Sequence, residues 1–485
     1  MNTKRTRAVS AVPAPPRFDC SVLTYIVGLA FGLGLASTAW GQSPSCPNPP
    51  PAIITSSQVP TDVCIPAGFL GNPIQFFDDF SWRSVIALVW PAQQGQRGVP
   101  DPNQQVGAVS GPLVFETFKA DWELFQPNGA DPSPTWNDFA GGNNIAVSNP
   151  CGVNVNVGFN DFVLASFSKF INLGQAGFGD LVHALPAQNK TWVRYATAFN
   201  QIEFTQIVPN KWYLRQNLPA TITFQDGALD VKSAWIDMKD IQRPERYYRR
   251  TAWLLDPVTG TCSQKTVGLV GLHIVQKTPS RPQWIWSSFE QVDTVPPQPG
   301  APGPFGFNDG SGQPMPASDP NGGWPPNDVQ NPIVFNVQRL KPIHASTQAT
   351  NSKYQQALGG VWQFYQLVMT QWPVPGNTPQ NSGAPRFTFP GRINPGDDTT
   401  SFANTTLETW EQNAITTGCM ACHNMTRTQT DFLWSLQINA YPPTILLPPG
   451  FRALGSAAPM SAAEAEAQQL LKQLKALMKE AQSKQ

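Results

Sequence analysis

Eleven residues, Thr416–Thr426 (TTGCMACHNMT), constrain this chain more than any other stretch. They place Cys419, Cys422 and His423 in the order Cys-x-x-Cys-His. With 7 cysteines and 4 histidines among 485 residues, random placement yields only ~0.001 such motifs per chain. Two thiols at this spacing can each form a thioether with one vinyl group of a haem. The histidine that follows can then ligate the iron from one side. A structural zinc needs four ligands, usually two such cysteine pairs, and there is no second pair. A thioredoxin-like dithiol would follow a strand in a βαβ setting, whereas the residues before Cys419 read as a helix. The motif therefore reads as the attachment point of one haem c, ahead of a dithiol or disulfide and ahead of zinc.

Haem c is attached outside the cytoplasm, so this reading requires export. Lys4, Arg5 and Arg7 begin a basic region that runs to Arg17, and Val22–Ala36 is an apolar run. Ala39 and Gly41 then occupy the small-residue positions of a cleavage site. That order is a secretory signal peptide. The apolar run is short for the ~20 residues that span a bilayer, which favours cleavage near Gly41 over a retained anchor. The expected location is periplasmic, with no membrane span after cleavage. Cys20 leaves with the signal. Cys46, Cys64, Cys151 and Cys262 remain, an even number suited to an oxidising compartment. Four cysteines allow three pairings, and sequence cannot choose between them; Cys46–Cys64 with Cys151–Cys262 is the pairing favoured here, with buried free thiols as the alternative.

Lys+Arg and Asp+Glu are both 32, and charged residues make up 13% of the chain. A neutral chain without a basic block offers nucleic acid no electrostatic footprint. The 49 prolines and 38 glycines predict long loops. No fixed-period repeat is present.

Residues 42–75 are Pro/Ser-rich and read as extended. Asp79–Ala92 predicts a helix with Ser81 near its cap, Trp82, Val85, Ile86 and Val89 on one face, and Pro91 ending it. The middle, about 190–295, reads as β. A hairpin is expected about Asp226-Gly227. Strands are expected in YYRRTAWLLD, in KTVGLVGLHIVQKT and in QWIWSSFEQVD. The second of these is apolar enough to be central, and Gly268 and Gly271 either weaken it or mark close backbone approach. Residues 295–333 are a Pro/Gly-rich excursion. Asn351–Trp372 predicts an amphipathic helix with Tyr354, Leu358, Val361, Trp362, Tyr365 and Val368 on one face.

Thr405–Glu408 fits a capping box opening a helix that Gly418 stops before Cys419. Asp431 is a plausible cap for a second helix that ends before Pro442. Ser461 and Glu464 form a box for a helical tail. The expected fold class is α+β: a large β-rich, loop-rich domain with a short helical C-terminal c-type haem module packed on it. The expected boundaries are 1–41 for the signal peptide, 42–75 for the N-terminal segment, 76–395 for the large domain, 396–452 for the haem module and 453–485 for the tail.

FDDFSWRSVIALVWPA, VKSAWIDM, GLVGLHIVQKTPSRPQWIWSSFEQVD, VWQFYQLVMTQWP and ANTTLETWEQNAITTGCMACHN occur in this order. Together they resemble a family of large exported proteobacterial proteins described simply as cytochrome c family proteins. The resemblance runs from about Phe76 to Tyr441. It implies covalent haem at Cys419 and Cys422 with His423 axial, and it implies no substrate.

On the other side of the iron, methionine suits electron transfer and an open position suits ligand binding or catalysis. Met425 is too close to His423 to reach the opposite haem face. Met369 falls on the predicted aromatic helix, where a core role is commoner. His273 is the first candidate for a distal ligand, ahead of Met460 and His344. An open site stands beside them, and a hydrogen-bonded core histidine is the plain alternative for His273. Asp78, Asp79, Glu290, Asp293, Arg249 and Arg250 could act as acid, base or anion clamp, but none has a diagnostic spacing, and a structural role is the expectation for each. Nucleophile-elbow, phosphate-loop and dinucleotide motifs are absent from the sequence.

The leading expectation is an exported monohaem c-type cytochrome in periplasmic electron transfer, with a redox protein or a small-molecule donor or acceptor as partner. The alternatives are a haem-dependent oxidoreductase, dehydrogenase or peroxidase-like, whose large domain binds a substrate, and a haem-based sensor or binding module.

Overall fold

The computed structural model describes residues 55–443, apart from 67–68, 70–72, 109–110, 140–147, 153–154, 168–171, 178–182, 299, 302, 312–314, 324–325, 374–386, 389–402, 413–418, 420–422 and 424–425. The expected signal peptide and tail helix lie outside these residues. The described residues all belong to one compact unit.

The unit is built on a β-rich mixed sheet. Its strands are β1 (Lys119–Ala120), β2 (Val163–Leu164), β3 (Arg194–Phe199), β4 (Leu229–Asp237), β5 (Arg249–Leu255), β6 (Cys262–Thr278), β7 (Arg281–Gln291), β8 (Tyr365–Pro373) and β9 (Phe387–Thr388). The order is β1-β3-β4-β6-β7-β8-β9, with β5 on β6 and the short β2 parallel to β5. The three strands read from sequence in the middle of the chain are β5, β6 and β7. β6 is the spine. It bonds β4 along one edge and β7, then β5, along the other.

Side chains on a strand alternate between faces, and adjacent serines on β7 demonstrate it. Ser287 Oγ lies 2.7 Å from Ser81 Oγ on the helix α1 (Ile74–Leu88). Ser288, one residue on, accepts from Asn404 Nδ2 at 3.1 Å on the opposite side. β6 repeats the pattern: Gln276 accepts from Ser84 of α1, and Lys277 reaches Asp431. The sheet thus carries α1 on one face and the C-terminal segment on the other. Helix α2 (Gln201–Ile207) follows β3, and α3 (Ala345–Leu358) packs beside α1, with Trp82 Nε1 donating to Asn351 Oδ1 at 3.0 Å.

Several local expectations are corrected. α1 begins at Ile74, and Ser81 is buried mid-helix against Ser287 and Thr370 rather than at a cap. The long helix expected over Asn351–Trp372 stops at Leu358, because Gly359 and Gly360 adopt φ of +60° and +53°. Tyr365, Val368 and Met369 therefore belong to β8. Asp226-Gly227 does form a turn, with Gly227 at φ +87°. However, no hairpin forms about it: the Phe224 amide bonds the Asp431 carboxylate, and both edges of β4 are occupied by β3 and β6.

The glycines of β6 mark close approach. A Cβ on Gly268 would lie 2.3 Å from Met238 Sδ, and one on Gly271 would lie 2.2 Å from Thr406 Oγ1. Cys151 and Cys262 are disulfide-bonded, closing a separation of 111 residues, and Cys64 is disulfide-bonded as well. Among the described residues, no helix is long and apolar enough to cross a membrane.

Asp78, on the inner face of α1, is fully buried, and Thr347 Oγ1 and Thr370 Oγ1 lie 2.7 and 2.9 Å from its carboxyl oxygens. Burial, only partly offset by these hydroxyls, pushes its pKa from 3.8 up to about 7. The folded state therefore holds this proton between about pH 4 and pH 7, where the unfolded chain does not. The associated stability is present below that window and is lost as pH rises through 7, by up to about 4 kcal/mol at 1.36 kcal/mol per unit. Asp78→Asn should remove this slope. In denaturant unfolding, the variant should gain on wild type between pH 5 and pH 8. Parallel stability curves over that range would show that Asp78 does not hold its proton in the folded state.

Candidate functional site

The residues after Ala403 attach to the sheet face opposite α1. Asn404 Nδ2 donates to Ser288 Oγ and, at 2.8 Å, to the Phe289 carbonyl. The backbone amide and hydroxyl of Thr405 both donate to the Glu290 carboxylate, which also holds Arg339. Tyr195 Oη donates to the Thr406 carbonyl at 3.0 Å. Glu290, one of the acid candidates, is thus wholly committed to fastening this segment. Asp293 is held by Arg243 and Arg246, Asp79 by Arg83 and Tyr354, and Arg250 by Glu116. Each has the structural role expected of it.

The capping box expected at Thr405 does not form, and the described residues 405–412 hold turns in place of the expected helix. Glu408 Oε2 accepts from the Asn404 amide, because the Thr405 hydroxyl is occupied by Glu290. A 3-10 turn, Thr409–Glu411, follows. Asp431 does not cap the second helix either. A single turn, α4 (Arg427–Thr430), ends there with Asp431 and Phe432 at φ of +50° and +73°, and α5 (Trp434–Asn439) starts three residues later.

Cys419 and His423 are each in helical conformation. Cys422, Met425 and Met460 lie outside the described residues. Cys419 is half-buried against Ile343, Val368 and Met369. Two consecutive β8 residues belong to this cluster, where a bulge in β8 interrupts the β7 register: Ser288 pairs with Met369 and Phe289 with Leu367, leaving Val368 over. Met369 thus comes near the motif from a strand, not from the helix expected for it.

His423 lies against Trp286 of β7, with ring centroids 4.4 Å apart and the planes inclined at 55°. Its Nδ1 is 2.7 Å from the Phe432 carbonyl oxygen. A carbonyl only accepts, so Nδ1 carries the hydrogen and Nε2 keeps its lone pair. Burial pushes the pKa of this ring down to about 4, although the Phe432 hydrogen bond opposes it. A neutral imidazole with its tautomer fixed in this way is what an axial ligand requires. The residues present therefore fit a haem iron ligated by His423 Nε2.

His273, on β6, points to the same sheet face as His423. It pairs in register with Lys232 and Ser288, and its Nε2 is 3.1 Å from Glu408 Oε1 without the alignment of a directed hydrogen bond. Burial alone would raise the Glu408 pKa, but His273 and Lys232 hold it below its ordinary value. The fields of Lys232, His273 and Glu408 all reach His423. The other two histidines are engaged elsewhere. His344 Nδ1 accepts from the Ser346 amide at the start of α3, and His183 Nδ1 is 3.0 Å from Asp319. Among the described residues, no three His, Cys, Asp or Glu side chains converge into a cage for a bare metal ion.

Trp286, Lys277 and the Phe432 carbonyl carried no signal in sequence as partners of this site. Only the strand register and the left-handed turn bring them there. Comparison with protein-family profiles, curated proteins and solved structures found no match to this chain.

The Gly271 contact gives a direct test of how the segment docks. Gly271→Ala should cost about 1–3 kcal/mol by overpacking against Thr406. It should also open residues 403–412 to limited proteolysis. Adding Thr406→Ala should recover part of the loss. A double variant no better than the sum of the two single changes would mean the two positions do not touch.

Proposed function

We propose that this protein is an exported monohaem c-type cytochrome that carries electrons in the periplasm. In this reading Cys419 and Cys422 hold one haem through thioethers, and His423 is the axial ligand. One observation carries it: within a Cys-x-x-Cys-His motif, the histidine gives its Nδ1 hydrogen to the Phe432 carbonyl and keeps Nε2 available. The haem supplies a one-electron couple between Fe(II) and Fe(III). The chain's part is to fix the orientation of His423, to shield it against Trp286, and to set the local field through Lys232, His273 and Glu408.

The disulfides at Cys151–Cys262 and Cys64 support an oxidising compartment, as does the signal-like N-terminus. The ordered series of family-like phrases supports the same assignment. His273 stands as the distal candidate, because it is on β6 on the sheet face that His423 packs against.

Protein matured in a periplasm should keep its red colour after denaturation and acidic solvent extraction. The double variant Cys419→Ala/Cys422→Ala should release its haem under the same treatment, or carry none. Colourless, denatured wild-type protein would overturn the proposal.

In the intact wild type, His273 ligation predicts a low-spin spectrum and little carbon monoxide binding after reduction. His273→Ala should turn the spectrum high-spin and open the iron to carbon monoxide. An unchanged spectrum would remove His273 from the iron. A wild type that is already high-spin would favour ligand binding or catalysis over transfer.

A further inference from the structure

We propose that Asp431 is a positioning residue for His423, acting through the backbone carbonyl of Phe432. The inference rests on the haem reading above and goes one step deeper into the same site. The carbonyl that accepts from His423 Nδ1 belongs to a residue at φ +73°. A bulky L residue rarely adopts that conformation, and it persists only where its surroundings impose it. Its neighbour Asp431, at φ +50°, is also left-handed, so two consecutive non-glycine residues share this turn.

The surroundings that impose the turn are identifiable. Asp431 Oδ2 accepts from Lys277 Nζ at 2.5 Å and from the Phe224 amide at 2.8 Å. Both carboxylate and ammonium are nearly buried, with 8% and 4% of their side chains exposed. Lys277 stands on β6, four residues beyond His273 and on the same face. The Phe224 amide comes from the unpaired stretch before β4. The turn is thus fastened to the centre of the sheet from two directions. Thr430 Oγ1 closes it by donating to the Leu433 carbonyl at 2.7 Å, and the Phe432 ring is buried in the main core. The result is a continuous path from β6 through Lys277, Asp431 and the Phe432 carbonyl to the imidazole.

The chemical consequence concerns the ligand. A well-aimed carbonyl on Nδ1–H makes the imidazole a stronger donor, which stabilises Fe(III) over Fe(II) and fixes the ring's rotation. If the turn relaxes, the carbonyl swings away and both effects weaken. Asn can accept from the Phe224 amide and tolerates the left-handed region, so Asp431→Asn keeps half of the clamp.

The test uses full-length, haem-loaded protein with Asp431→Ala, Asp431→Asn and Lys277→Met. All three should retain covalent haem. Asp431→Ala and Lys277→Met should raise the midpoint potential and speed solvent exchange of the His423 Nδ1 proton seen by NMR. Asp431→Asn should fall between Asp431→Ala and wild type in both readouts. If Asp431→Ala does not fold, Lys277→Met, which leaves the Phe224 bond intact, decides the matter alone. Loss of thermal stability with unchanged potential and unchanged proton exchange would overturn the proposal while leaving the haem reading in place. Denatured wild type without covalent haem would instead overturn the haem reading, and this inference with it.

Discussion

The architecture depends on a sheet that is buried on both faces at once. β6 and β7 send alternate side chains to α1 and to the C-terminal segment, and neither face is left to water along most of their length. Such a strand cannot show a polar-out alternation, and β6 accordingly reads as a near-continuous apolar run. The few polar groups it buries must then find partners, since an unpaired one costs about 1–3 kcal/mol. Gln276 finds Ser84 and Lys277 finds Asp431. Every polar contact of this kind also serves as a register mark, because shifting either strand by one residue would exchange the two faces.

The two layers use different chemistry. Along the inner face of α1, small hydroxyls and one buried acid meet: Ser81, Ser287, Thr370 and Asp78. On the other face, ion pairs and backbone groups dominate. Glu290 takes two bonds from Thr405 and one cation, Arg339, and Asp431 takes an amide and a cation, Lys277. A segment with little regular secondary structure cannot satisfy its own backbone groups. Side chains from the sheet do so instead, and this is how a few short turns can be held in place.

His423 sits where these constraints meet. Its ring rests on a tryptophan of β7, its Nδ1 is held by a left-handed turn, and that turn is anchored to β6. The surroundings of His423 are therefore drawn from the sheet as well as from the C-terminal segment, in line with the expectation that the larger domain completes the site. Its supporting groups come from β4, β6, β7 and β8, and residues 403–412 wrap over the same face before the motif is reached.

The motif, the central strands β5 to β7 and an even set of cysteines suited to disulfides were legible in the sequence, because each depends on local spacing or on simple parity; which cysteines pair was not. Helix ends were less so. Ser81 and Asp431 look like caps, since short polar side chains favour caps, yet both are spent on distant partners. Tyr365–Met369 carries helical periodicity, but two left-handed glycines stop the helix, and β7 offers a strand partner that periodicity cannot foresee.

Thus the residue types, their spacing and the run of apolar positions by themselves determined that a Cys-x-x-Cys-His motif follows a β-rich body. Only the tertiary structure decided which carbonyl faces His423, that Met369 stands beside Cys419, and that His273 shares their face. Those pairings join residues far apart in the chain, and they are set by which strand lies next to which. No local pattern contains that information.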